Sequence, residues 1–121
     1  ANTEWQRDLS VSHNRLGTVQ QAQGDLVGAQ RQYATSHDIT ERLAAQDPAN
    51  AQWQGDLAIS RINLACVRAE ESDLRGALAH LQSARSILLA LLQRAPDHPQ
   101  FLSYLTRVER RIAELEGDAA P

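Results

Sequence analysis

The chain repeats itself at an offset of 48 residues, and this internal repeat constrains its fold more than any other feature. The segment Asp25-Leu26-Val27-Gly28-Ala29 returns as Asp73-Leu74-Arg75-Gly76-Ala77, with Asp, Leu, Gly and Ala in the same places. Ahead of it, Trp5-Gln6-Arg7-Asp8-Leu9 returns as Trp53-Gln54-Gly55-Asp56-Leu57 without a gap. A third copy starts at Phe101 and breaks off. The chain therefore holds two and a half copies of one unit.

Apolar residues within each copy recur every three or four positions, which is the spacing of one buried helix face. In the first copy these residues are Trp5, Leu9, Ser12, Leu16 and Val19, then Leu26, Ala29, Tyr33, Ser36, Ile39 and Leu43. Gly24 suits the end of the first helix, Asp25 caps the second, and Pro48 closes it. Each full copy is therefore a hairpin of two antiparallel helices, and the fold class is all-α. We expect Trp5 and Trp53 to lie in equivalent surroundings as core anchors.

The repeat also predicts the domain boundaries. At 121 residues the chain is long enough for one compact core, so residues 1–117 are predicted to form a single domain. The first repeat covers residues 3–48, the second covers 51–96, and a capping helix covers 99–116. Residues 118–121 are predicted to be a disordered tail. The fold is thus expected to contain five helices.

The Leu16-Gly17 pair is followed by Ala29 at a distance of twelve residues from the glycine, and then by Tyr33. The second copy has Leu64-Ala65, Ala77 and Leu81 at these places. This spacing resembles the tetratricopeptide repeat (TPR) family, in which small residues let the helices approach closely while a large residue fills the space beyond. The usual period is 34 residues. A period of 48 is similar to the lengthened repeats of kinesin-light-chain-like and other bacterial TPR arrays. The resemblance implies hairpins stacked as a right-handed solenoid, whose first helices line a concave groove for a protein or peptide.

The resemblance also implies which side chains face this groove. They are Asn14, Thr18 and Gln21 in the first copy, Ile59, Ile62, Asn63 and Cys66 in the second, and Arg107, Arg110 and Arg111 in the last helix. Asparagine can hydrogen-bond a peptide backbone, and a guanidinium can hold a carboxylate. We expect a groove that is polar at one end, apolar in the middle and basic at the other. The competing interpretation is that these arginines only keep a terminal helix soluble.

The fourth helix carries a second apolar face where the first copy is largely polar. Its residues are Leu78, Leu88, Leu89 and Leu92. One interpretation is that the fifth helix covers this face. The other is a self-association patch, which would make the chain a structural or oligomerisation segment that forms a homodimer.

Composition and spacing argue against other classes of function. The net charge of -3, with arginines scattered among acids, gives no electrostatic footprint for nucleic acid. No apolar run approaches the ~20 residues of a membrane span. The four His have no partner at metal-ligand spacing, and Cys66 lacks a nucleophile signature. We therefore expect no enzymatic activity, no cofactor, no nucleic-acid partner and no membrane partner.

The residue usage indicates where such a chain comes from. All twelve basic residues are Arg and Met is absent, a bias typical of a GC-rich bacterial genome. Without an initiating Met, we expect an excised piece of a larger bacterial protein. The lone Cys66 fits a reducing compartment, so we expect a cytoplasmic location. Together these observations predict a scaffold module that binds a protein or peptide.

Overall fold

The computed structural model describes residues 2–119, with side chains for residues 2–117. These residues form the helices α1 (Thr3–Ala22), α2 (Leu26–Gln46), α3 (Ala51–Glu70), α4 (Leu74–Arg94) and α5 (Pro99–Ala119). The described part of the chain contains no strand, so the all-α prediction is confirmed. Residues 118 and 119 continue α5 where a disordered tail was predicted, and Ala120 and Pro121 lie outside the described residues.

The corner inside each hairpin follows the local chemistry of its sequence. Gly24 ends α1 with a φ of 83°, in the left-handed region that favours glycine. Asp25 Oδ1 accepts a hydrogen bond from the backbone N–H of Gly28 at 2.9 Å, and Asp73 Oδ1 accepts one from Gly76 at the same distance. A Cβ at either glycine would collide with the capping carboxylate. Glycine therefore recurs three residues after the cap because the curled aspartate leaves no room for a side chain.

The helices pack in chain order, each against the next. The first helices of the units, α1, α3 and α5, also contact one another in turn, whereas the Cα atoms of α2 and α4 do not approach within 8 Å. Arg7 pairs with Asp56 at 2.8 Å near the start of α1 and α3, and Gln21 donates to Glu70 near their ends. Because both ends are joined, α1 and α3 run parallel. The first helices thus share one side of the molecule.

Small residues let the helices of each hairpin approach closely, as the sequence predicts. Tyr33 is 1% exposed, and a Cβ on Gly17 would lie only 2.6 Å from its Cε1 atom. The Tyr33 hydroxyl donates to Gln21 Oε1 at 2.9 Å. In the second hairpin the equivalent residues are Ala65 and Leu81, both buried. A larger small residue is thus paired with a smaller large one.

The prediction that the apolar face of α1 is buried is wrong. The exposed fractions are 64% for Trp5, 38% for Leu9, 51% for Leu16 and 53% for Val19. α1 instead buries Ser10 and Gly17. Its apolar face stays open because no described helix lies against it, whereas α3 lies against α2. Trp5 and Trp53 consequently differ in surroundings, since Trp53 is half-buried.

Candidate functional site

Side chains of α1, α3 and α5 surround a cavity of about 850 Å³. It lies near the first turns of α3 and α5, and the last turns of α2 and α4 contribute Thr40 and Leu91. Two of the predicted groove residues, Asn14 and Ile59, line it. Its further polar and aromatic lining includes Arg7, Arg15, Asp56, Arg94, His98 and Tyr104. The first helices therefore do form a concave surface, which extends beyond the residues expected to line it.

A second cavity, of about 190 Å³, lies further along α3 and α5. The predicted groove residues that line it are Ile62, Cys66, Arg107, Arg110 and Arg111, and Glu114 lies beside them. The structure thus brings the middle and last parts of the predicted groove together. The apolar and basic character expected there is present.

Three predicted groove residues line neither cavity. Thr18 Oγ1 lies 3.1 Å from the Tyr33 hydroxyl, and Gln21 Oε1 accepts that hydroxyl's proton. Gln21 also donates to Glu70. Asn63 is half-buried on α3. Thr18 and Gln21 therefore hold the Tyr33 hydroxyl and join α1 to α3, which leaves them little freedom to bind a ligand.

The two cavities concentrate positive charge in an acidic chain. Six of the twelve arginines line them, namely Arg7, Arg15, Arg94, Arg107, Arg110 and Arg111, against only two of the fifteen acidic side chains, Asp56 and Glu114. The net charge of the whole chain is -3, so this side has the opposite sign. The end of the groove at α1, predicted to be polar, is basic.

Most of these guanidinium groups are free to bind an anion. Arg7 Nε donates to Asp56 Oδ2 at 2.8 Å, and this hydrogen bond raises the pKa of Arg7. Arg111 Nη1 donates to Glu114 Oε2 at 3.0 Å. The other four, Arg15, Arg94, Arg107 and Arg110, have no hydrogen-bond or ion-pair partner within residues 2–117. The first turns of α3 and α5 add the partial positive charge of helix N-termini beside the larger cavity.

Chemistry other than anion binding finds few groups here. Burial raises the pKa of the Cys66 thiol, although the positive charges of Arg111 and Arg107 oppose the shift. The thiol is therefore mostly protonated at neutral pH and is a poor nucleophile. Within the described residues no three His, Cys, Asp or Glu side chains are grouped to hold a metal ion. None of the described helices is long and apolar enough to cross a membrane.

The leucines considered for self-association do not form an exposed patch. Leu88 is fully buried in a cluster that includes Phe101 of α5, and Leu78 and Leu92 pack against the same cluster. Of the four, Leu89 alone is exposed, at 39%. The fifth helix covers this face, which is the first of the two interpretations that the sequence left open. We therefore assign no assembly function to α4.

Sequence reasoning missed the arginines of the larger cavity. Arg7 lies one turn before Val11 and Arg15 lies one turn after it, on a stripe of α1 that faces the cavity. Extending that stripe by four residues in each direction would have found both. Arg94 and His98 come from the end of α4 and the corner before α5, and no helical spacing relates them to α1.

Comparison of the chain with protein-family models, with curated proteins and with solved structures found no match. A functional proposal consequently has to come from the chain's own geometry. The side formed by α1, α3 and α5, with its two cavities and its unpaired arginines, is the part of the described structure best suited to hold a ligand.

Proposed function

We propose that the chain is a binding module that holds an acidic peptide segment of another protein along α1, α3 and α5. The observation that supports this most strongly is the local excess of arginine on the cavity side of an acidic chain. A guanidinium presents a planar fork of donors that matches both oxygens of a carboxylate. Arg107 and Arg110 are exposed and unpaired among the described residues, so they can turn toward a ligand without breaking an internal contact.

We further propose that the hairpins stack as a TPR-like solenoid of two and a half repeats. The chain-order packing and the parallel first helices agree with such a stack, while the right-handed sense comes from the family resemblance alone. In such solenoids the stacking of units creates an extended concave binding surface. The two cavities lie on the side of α1, α3 and α5, where that surface is expected.

The spacing of the cavities favours an extended peptide over a small molecule. Along α3 the lining runs from Ala51 to Cys66, roughly 22 Å at the helical rise of about 1.5 Å per residue. An extended chain spans that distance with roughly six or seven residues. Ile59 and Ile62 lie between the basic ends and offer apolar contacts. The fitting ligand therefore carries carboxylates at both ends and apolar side chains between them.

Selection from a library of random peptides tests the proposal. We expect the selected peptides to be enriched in Asp and Glu, and their affinity to fall as the salt concentration rises, because exposed charges are screened. Arg107→Ala with Arg110→Ala is expected to weaken binding about tenfold, which corresponds to ~1.4 kcal/mol. Fluorescence anisotropy of a labelled selected peptide measures both effects.

Arg31→Ala with Arg75→Ala is the matched control. Both residues are exposed arginines on α2 and α4, they line neither cavity, and their removal changes the net charge equally. We expect this pair to change the affinity less than about twofold, since exposed charges far from a ligand are screened. The proposal is wrong if no peptide is enriched, if the selected peptides carry no acidic excess, or if both arginine pairs weaken binding equally.

A further inference from the structure

One interface occurs twice in the described chain, 48 residues apart. In α3 its residues are Trp53, Leu57, Ser60, Leu64 and Val67, and in α5 they are Phe101, Leu105, Val108, Ile112 and Leu115. All ten are half-buried or fully buried. Leu64 and Val67 pack with Ala29 and Tyr33 of α2, and α5 packs on α4 in the same way. These five positions thus hold each first helix against the second helix that precedes it.

α1 has the same five positions without the partner. They hold Trp5, Leu9, Ser12, Leu16 and Val19, the same residue types as in α3, and all five are exposed. Large apolar residues grouped on one exposed face of a helix are a sign of an interaction surface. The outer face of α1 therefore has the composition of a finished interface and the exposure of an empty one.

The polar contacts of the interface are also represented on α1. Ser60 Oγ lies 2.8 Å from Nδ1 of His37 on α2, and Asp56 accepts a guanidinium of the neighbouring first helix at 2.8 Å. Ser12 and Asp8 stand 48 residues earlier and are the same residue types. Neither side chain has a hydrogen-bond or ion-pair partner within residues 2–117. The empty face thus presents acceptors in the places where such a hairpin supplies donors.

We infer that the outer face of α1 is the docking surface for a helix of the α2 type, the second helix of a preceding hairpin in the same array. Continuity with the two interfaces inside the chain identifies this occupant. A second copy of the chain does not offer it, because the matching face of α2 is covered by α3 and that of α4 by α5. This inference concerns a different surface from the peptide groove and does not depend on it.

An extended chain tests the inference. Residues 25–49 are duplicated directly ahead of Asn2, so that the duplicated Asp47-Pro48-Ala49 leads into Asn2 as the original leads into Asn50. Trp53→Phe leaves Trp5 as the sole tryptophan. The tether gives the added helix an effective concentration on the order of millimolar, enough to reveal a weak contact. We expect acrylamide quenching of Trp5 to fall at least threefold relative to the unextended chain, and its emission to shift to shorter wavelength.

Leu16→Glu with Val19→Glu separates docking from tethering. In the unextended chain both positions are exposed, so the thermal unfolding midpoint is expected to stay within about 2 °C. In the extended chain the two charges would be buried under the added helix, so the protection of Trp5 is expected to disappear. Both residues lie at the far end of α1 from Trp5 and do not alter its fluorescence directly.

Three results would overturn the inference. Trp5 quenched equally in the extended and unextended chains means that the face does not accept such a helix. Protection that survives Leu16→Glu with Val19→Glu means that the added helix lies elsewhere. Protection already present in the unextended chain, rising with protein concentration, means that a second copy occupies the face.

Discussion

Two pairs of side chains set the distance between the helices of each hairpin. Gly17 faces Tyr33 in the first, and Ala65 faces Leu81 in the second. The pairs occupy equivalent positions, so the added methyl group of alanine is matched by the smaller leucine. Because the interior is close-packed, each small residue is specific to its large partner. The two hairpins therefore keep one architecture with two different packings.

A double-mutant cycle across the first pair tests this account. Gly17→Ala alone is expected to lower the free energy of unfolding by about 1–2 kcal/mol, because overpacking against Tyr33 outweighs the helix propensity gained. Gly17→Ala with Tyr33→Leu reproduces the pair found in the second hairpin. We expect the double variant to be at least ~1 kcal/mol more stable than the sum of the single changes predicts. Urea unfolding followed by circular dichroism measures each value, and additive effects would contradict the account.

The role of Gly17 could be predicted from the sequence, but that of Gly55 could not. Gly17 lies in the motif that places a small residue against Tyr33 of the same hairpin. Gly55 interrupts α3, and a Cβ there would lie 3.0 Å from Cε1 of Phe101 in α5. Its partner is 46 positions away in a helix whose packing no local pattern specifies. Contacts between units are therefore harder to predict than contacts within them.

At the scale of the helices, burial depends on what lies opposite each face. Helical spacing identified the apolar faces of α2, α3 and α5 correctly, and capping residues identified the helix starts, because both signals are local. The same spacing on α1 described a face that stays exposed. Periodicity shows that a face is apolar and does not show whether a neighbour covers it. The second apolar face of α4 has such a neighbour in α5.

Two adjacent leucines of α4 test whether α5 covers that face. Leu88 is 0% exposed and Leu89 is 39% exposed. Leu88→Glu is expected to cost at least ~4 kcal/mol, because an unpaired charge would enter the core, while Leu89→Glu is expected to stay within about 0.5 kcal/mol. Thermal unfolding measures the stabilities, and light scattering measures the mass of each variant. A stable monomeric Leu88→Glu variant formed from a dimeric parent would contradict the assignment.

The whole molecule presents two different surfaces. The side of α1, α3 and α5 gathers arginines around two cavities, while the outer face of α1 is apolar and resembles an interface already built elsewhere in the chain. The sequence predicted Arg107, Arg110 and Ile62 on the cavity side, because they lie on stripes of single helices. It did not predict Arg94 or His98, whose positions depend on how the corner before α5 meets α1 and α3.

The central claim, that the cavity side is where a partner binds, is tested most directly by mapping a bound peptide. Backbone amide ¹H–¹⁵N spectra of the labelled chain are recorded while a selected acidic peptide is added. We expect the largest shift changes at Asn14, Ile59, Cys66, Arg107 and Arg110, on the three helices that line the cavities. Changes confined to α2 and α4, or to the Trp5 face of α1, would contradict the claim.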